Sequence, residues 1–171
     1  NFLIMPCCYF LNSTETVYNW YGKIIHSVPE SKIILYNFSK LNGGYSFSPE
    51  VTKRLINDFP YNIIGMKDST GNLWDKFKAE NFSMFVGSEK KLLDNLEAGG
   101  AGCISATTNF SSSLARKVYD DFKNKGSSSE SDKLKAIRTA FDETGNLITA
   151  LHTLKSLENK AYANLLPPLE L

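Results

Sequence analysis

Five short apolar runs punctuate the first part of the chain, at positions 2–5, 32–36, 62–66, 84–86 and 102–105. Each is mostly apolar at consecutive positions, as expected of strands covered on both faces. Between the runs the apolar spacing changes to three and four. Val17, Trp20, Tyr21, Ile24 and Ile25 predict an amphipathic helix over 14–27, with Ser13 and Thr14 as candidates for its N-cap. Ser48-Pro49-Glu50 opens a second helix over 48–57, with Pro49 at its first position. A short helix is predicted over 72–78. Leu92, Leu93 and Leu96 predict another over 89–98, ahead of Gly99-Gly100. A strand-helix alternation that begins five times predicts parallel strands in an α/β fold. After Asn109 the runs cease, and helices are predicted over 112–124, 131–143 and 147–157. The Gly/Ser loop at 126–129 is too short to separate domains.

Polar residues collect after each run. Pro6-Cys7-Cys8-Tyr9 follows the first, Tyr36-Asn37 closes the second, and Lys67-Asp68-Ser69-Thr70-Gly71 closes the third. Gly87-Ser88-Glu89 and the segment from Ser105 to Asn109 follow the last two. In a parallel sheet these positions share the carboxyl edge, where α/β folds build their sites. Lys67 leaves the end of an apolar strand directly after Ile63-Ile64-Gly65-Met66. A desolvated amine there can attack a carbonyl and form a Schiff base. A lysine that snorkels to solvent or pairs with Asp68 fits the same spacing. Tyr36 is a candidate proton relay if its phenol faces the site, and a core residue with a satisfied hydroxyl otherwise.

Composition narrows the classes. The chain has 171 residues, 42% hydrophobic and 22% charged, which is globular rather than disordered or coiled-coil. Nineteen Lys and Arg against 18 Asp and Glu leave a net charge of +1. Such a balance gives no footprint for nucleic acid or an anionic membrane, and no apolar run approaches the ~20 residues of a membrane span. Cys7, Cys8 and Cys103 are odd in number, which fits reduced thiols and a cytoplasmic protein. No His/Cys/Asp/Glu spacing suggests a metal site, and no phosphate-binding Gly motif occurs. The first residue is Asn and the last follows shortly after Pro167-Pro168, so a segment of a longer protein is expected.

Ile34-Leu35-Tyr36-Asn37, then Ile64-Gly65-Met66-Lys67-Asp68-Ser69-Thr70-Gly71-Asn72, then Gly87-Ser88-Glu89, then the run from Gly99-Gly100 through Cys103-Ile104-Ser105 to Asn109 resemble the dihydrodipicolinate synthase / N-acetylneuraminate lyase family in order and spacing. The terminal Leu165-Leu166-Pro167-Pro168-Leu169 is similar to the family's penultimate segment. The resemblance implies a (β/α)8 TIM barrel of which residues 1–110 supply strands four to eight, with residues 111–171 forming the last barrel helix and a C-terminal helical extension. It implies a class I lyase or aldolase acting on pyruvate or another 2-keto acid. Lys67 would form the imine and Tyr36 would shuttle the proton. Gly87, Ser88, Glu89, Ile104, Ser105 and Leu41 would bind substrate. Cys8 and Tyr9 occupy the place of an interface aromatic that helps relay protons. No metal or organic cofactor is implied, since the covalent imine on Lys67 is the electrophile; homo-oligomers are common in the family.

Departures from the family pattern point in several directions. Ser39 replaces a usual proline, and Leu41 stands where the synthases proper place a carboxylate-binding arginine. Glu89 supplies one acid of the sialic acid lyase pattern, but Lys90 and Ala106 break it. Cys7 and Cys8 precede Tyr9 where an aromatic is preferred. The Gly-Thr-Thr-Gly-Glu-like loop of the missing first strands does not occur in these residues. Two readings follow: a Schiff-base lyase, with a 2-keto-3-deoxy sugar acid among its candidate substrates, or a catalytically incompetent fragment serving as an assembly or binding module. In either case five strands without the other three are not expected to persist as a monomeric half-barrel.

Overall fold

The protein is described by a computed structural model covering residues 1–170; Leu171, the last position of the expected extension, lies outside the described residues. All five expected strands form: β1 (Phe2–Ile4), β2 (Ile33–Asn37), β3 (Ile63–Asp68), β4 (Ser83–Val86) and β5 (Gly102–Cys103). They pair in parallel in chain order, β1-β2-β3-β4-β5, leaving β1 and β5 at the two edges. The β5 ladder reaches one residue further each way, through Ala101 N–H to the Met84 carbonyl and Ile104 N–H to the Val86 carbonyl.

Helices cover one face of this sheet. Helix α1 (Thr14–Ser27) starts at a reciprocal cap: the Thr16 N–H donates to Ser13 Oγ and the Ser13 N–H donates to Thr16 Oγ1. Helix α2 (Pro49–Asp58) begins after Ser48, whose hydroxyl accepts from the Val51 N–H. Val17, Tyr21 and Ile25 of α1 and Val51 and Leu55 of α2 bury against Ile33, Leu35 and Met66 of the sheet. A second cluster joins α3 (Leu92–Glu97), α4 (Thr108–Lys125) and α5 (Ser131–Glu143) through Leu92, Leu96, Ala115, Val118 and Leu134. Helix α6 (Leu147–Glu158) follows α5. Removing this much apolar surface from water is the main favourable term holding the layers together.

Three elements differ from the sequence reading. Residues 72–78 form turns rather than a helix, with one helical bond from the Phe77 N–H to the Leu73 carbonyl. Asp68 accepts from the Gly71, Leu73 and Trp74 amides and ties this segment to the end of β3. The segment predicted over 89–98 is a 3-10 turn (Glu89–Lys91) followed by the short α3. Helix α4 starts at Thr108, four residues before the predicted start at Ser112, because a first turn precedes a kink at Ser111, where φ is −101° and ψ is 22°.

The register of β3 decides which face carries Lys67. Ile33 pairs with Ile63 and Ile34 pairs with Gly65, so the ladder skips Ile64. Beyond this irregularity Tyr36 pairs with Lys67 and Asn37 with Asp68. An unbroken register from Ile33 would have set Lys67 beside Asn37, on the helix-covered face. The bulge puts it on the same face as Tyr36. Gly65 permits the strand to lie this way, for a Cβ there would stand 2.5 Å from the Ser83 carbonyl oxygen of β4.

Candidate active site

The carboxyl edge of the sheet brings the two principal candidates together. Tyr36 and Lys67 are the penultimate residues of β2 and β3, and the Lys67 Nζ lies 4.2 Å from the centroid of the Tyr36 ring. Both side chains are half-buried. A cation over an aromatic face is held by the ring's quadrupole, so Tyr36 orients the lysine as well as offering a hydroxyl. Phe38 flanks Tyr36, with ring centroids 5.8 Å apart. On the other side Phe85 of β4 is the register partner of Lys67.

The next residue on each strand points to the opposite face and builds the frame. Asn37, fully buried, donates through Nδ2 to Asp68 Oδ1 at 2.9 Å and to Asn72 Oδ1 at 2.8 Å. Its Oδ1 accepts from the Phe47 N–H, and its carbonyl accepts from the Ser69 and Thr70 N–H groups. Asp68 spends its two oxygens on Asn37 and on the Gly71, Leu73 and Trp74 amides. No ion pair joins Lys67 to Asp68 among the described residues, since successive strand positions face opposite sides. Ser39, where the family pattern has proline, uses the N–H that proline lacks: it donates to Thr70 Oγ1 at 2.9 Å and ties the loop after β2 to the loop after β3.

The remaining predicted residues fall into two groups. Gly87, Ser88, Glu89, Ile104 and Ser105 sit at the ends of β4 and β5. Gly87 lets β4 approach Ser69, for a Cβ there would fall 1.9 Å from Ser69 Oγ. Ser88 caps the 3-10 turn by accepting from the Lys90 N–H. Glu89 is buried, and its carboxylate is engaged by the Ser105 and Thr107 hydroxyls and by Arg138 Nη1 at 3.0 Å. Its oxygens thus serve the frame rather than standing open to a ligand. Leu41, Cys8 and Tyr9 form the second group and are exposed, Tyr9 to 87%, with its ring edge-on to Phe10. The structure does not bring them against Lys67 or Tyr36 through any hydrogen bond or ring contact among the described residues.

Sequence reasoning missed Arg138, Thr107, Phe85 and the bulge at Ile64. The isolated Gly65 within an apolar strand was the one local signal for the bulge. Cys103 is inert by environment: burial first, then the Glu89 charge, pushes its thiol up to about 11. A cavity of about 600 Å³ lies away from these residues, between α4, α5 and α6, and is lined by Phe110, Phe141 and Leu154 among others. Its lining carries no ionisable side chain.

Comparison with known proteins bears on the family and the fold. The dihydrodipicolinate synthetase family model matches residues 2–170. The chain belongs to this family. Among curated relatives, the 2-dehydro-3-deoxy-D-gluconate/2-dehydro-3-deoxy-phosphogluconate aldolase of Picrophilus torridus is 28% identical over 127 residues, 71% of this chain and 46% of the relative. The solved 2-keto 3-deoxygluconate aldolase from Picrophilus torridus superposes with a TM-score of 0.82 at 24% identity, covering 98% of this chain and 62% of that one. A prophage protein of the family from E. coli K12, solved in complex with pyruvate, superposes with a TM-score of 0.80 at 21% identity, covering 98% of this chain and 59% of that one. The fold is therefore the family's TIM barrel in part, and the chain spans less than half the length of that curated relative. No helix among the described residues is long and apolar enough to cross a membrane.

Proposed function

We propose that this chain carries the lysine-bearing part of a Schiff-base lyase that makes or breaks a carbon–carbon bond next to a 2-keto acid. The placement of the Lys67 Nζ 4.2 Å from the Tyr36 ring, at the carboxyl edge of the sheet, is the observation that carries the reading. In this mechanism the neutral Lys67 amine adds to the C2 carbonyl of pyruvate or of a longer 2-keto acid. The proton that Lys67 gave up returns to the carbinolamine hydroxyl, which leaves as water, giving a protonated imine that withdraws the electron pair of the bond being broken. In the cleavage direction Tyr36 takes the proton from the hydroxyl that becomes the aldehyde; in the synthetic direction it returns it. After cleavage the enamine takes that proton from Tyr36 at C3, and hydrolysis of the resulting imine releases the keto acid and restores the amine. The reading needs no metal or organic cofactor.

The substrate class we favour is the 2-keto-3-deoxy sugar acids. Leu41 offers no cation to an aldehyde that bears a carboxylate. The aldolase relative above is named for such acids, and pyruvate is bound in the E. coli family member. Residues 111–171 serve as the last barrel helix and helical extension, and assembly with further chains or strands completes the barrel.

The test is turnover by the full-length protein with 2-keto-3-deoxy sugar acids, followed by pyruvate release. Tyr36→Phe keeps the ring that orients Lys67 and removes the hydroxyl, so kcat should fall by about a hundredfold or more while lysine adduct formation persists. Unchanged turnover in Tyr36→Phe would rule out the relay assigned to it.

A further inference from the structure

Helix α5 belongs to the extension, yet three ion pairs bolt it to the segment that follows β4. Arg138 meets Glu89 at 3.0 Å, Lys90 meets Asp142 at 2.9 Å, and Lys135 meets Asp94 at 3.5 Å. The first differs in kind from the other two. The Glu89 side chain is fully buried and Arg138 is only 15% exposed, whereas Lys90, Asp142, Lys135 and Asp94 are each at least a third exposed. Exposed pairs of the latter sort contribute little. A buried carboxylate, by contrast, needs its cation and its donors, and removing one partner leaves an uncompensated charge.

The buried pair also holds two hydroxyls from another strand end. Ser105 Oγ donates to Glu89 Oε2 at 2.5 Å, and Thr107 Oγ1 donates to Glu89 Oε1. Arg138 Nη1 lies 3.0 Å from Ser105 Oγ, and Arg138 Nε donates to Asp142 at 2.8 Å, which fixes the guanidinium plane. The loop thus gripped leaves β5 at Ile104, whose N–H donates to the Val86 carbonyl. Val86 is the register partner of Asp68, and its neighbour Phe85 is the partner of Lys67. From α5 to the reactive lysine the path is continuous: guanidinium, carboxylate, hydroxyls, loop, β4, Lys67.

We infer that Arg138 is a positioning residue for the lysine site. By neutralising Glu89 and holding Ser105 it fixes the loop after β5 against the end of β4, so that the wall beside Lys67 keeps its shape. This inference rests on the Schiff-base reading above. It assigns the helical extension a part in the chemistry, although no residue of that extension is given a place among the reacting groups. Loss of the guanidinium would free the Glu89 carboxylate to turn toward water and take the Ser105 loop with it. Shifts of about an ångström in such a wall lower rates by up to about a hundredfold.

The test compares four forms of the full-length protein: unmodified, Arg138→Met, Arg138→Lys, and the double variant Glu89→Gln/Arg138→Met. Each is incubated with pyruvate and borohydride, and the rate of adduct formation on Lys67 is measured against pyruvate concentration, together with the thermal midpoint. Arg138→Met should trap about tenfold or more slowly at saturating pyruvate, and Arg138→Lys should recover part of the rate. The double variant leaves no buried charge, so its thermal midpoint should return toward that of the unmodified protein while its trapping rate stays low. That split separates positioning from stability, and it decides the matter even where Arg138→Met alone fails to fold. A double variant that regains both midpoint and rate, or an Arg138→Met protein that folds and traps at the unmodified rate, would overturn the inference. An unmodified protein that gives no adduct on Lys67 would overturn the Schiff-base reading itself.

Discussion

Lys67 faces Tyr36 because of a glycine two positions earlier. With Gly65 against the Ser83 carbonyl and Ile64 skipped by the ladder, the end of β3 is turned so that the lysine shares a face with the tyrosine. A methyl at Gly65 must push β4 backbone aside, and backbone does not give as a flexible side chain does. Gly65→Ala should cost about 1–3 kcal/mol of stability, read as a lower urea midpoint, and should slow reactions at Lys67 in the molecules that remain folded. An unchanged midpoint would mean that β3 and β4 are not so closely apposed. The cysteines give a second prediction at this scale. With its thiol pushed up to about 11, Cys103 holds about one thiolate in a thousand at pH 8, whereas Cys8 is exposed. Iodoacetamide at that pH should label Cys8 well ahead of Cys103, as peptide mass mapping would show; equal labelling would contradict the burial described.

The elements show what the sequence made legible and what it concealed. All five strands and both ends of α5 could be read locally, because continuous apolar runs and 3–4 spacing are properties of neighbouring residues. Tyr36 and Lys67 were legible for the same reason, each closing an apolar run. The hold of Asp68 on the Gly71, Leu73 and Trp74 amides, which ties the turns over 72–78 to the end of β3, leaves no mark in the apolar spacing of that segment. The Arg138–Glu89 pair spans 49 positions of sequence, and no local pattern announces it. Asp68→Ala should therefore do more than a surface substitution. It removes one of the two acceptors of Asn37 Nδ2 and strands three backbone amides, and a loss of about 2–4 kcal/mol is expected by denaturant unfolding, with Asp68→Asn intermediate. The Ser39–Thr70 bond offers a finer check. In a double-mutant cycle, Ser39→Pro and Thr70→Val should couple by about 1 kcal/mol, because either change alone removes the same hydrogen bond. Strict additivity would show that the bond does not hold the two loops together.

At the scale of the whole molecule, five parallel strands in chain order leave two edges and an inner face. Phe2 and Leu3 of the β1 edge are 54% and 41% exposed. Such edges template pairing with other strands, and apolar faces of this kind are normally covered. The 171-residue chain taken alone should therefore associate or lose cooperative structure at low micromolar concentration, as sedimentation velocity and thermal unfolding would report. A cooperatively melting monomer would show that the half-barrel is stable as it stands. Within an assembly or a longer polypeptide that supplies the partner strands, the sheet would close with Lys67 and Tyr36 on its inner face. The proposed chemistry turns on Lys67. Its most direct test is to incubate the full-length protein with pyruvate, reduce with borohydride, and map the modified peptide by mass spectrometry. A single reduced pyruvate adduct on Lys67, abolished in Lys67→Ala, is the expected result; no adduct, or one on a different lysine, would contradict the Schiff-base assignment.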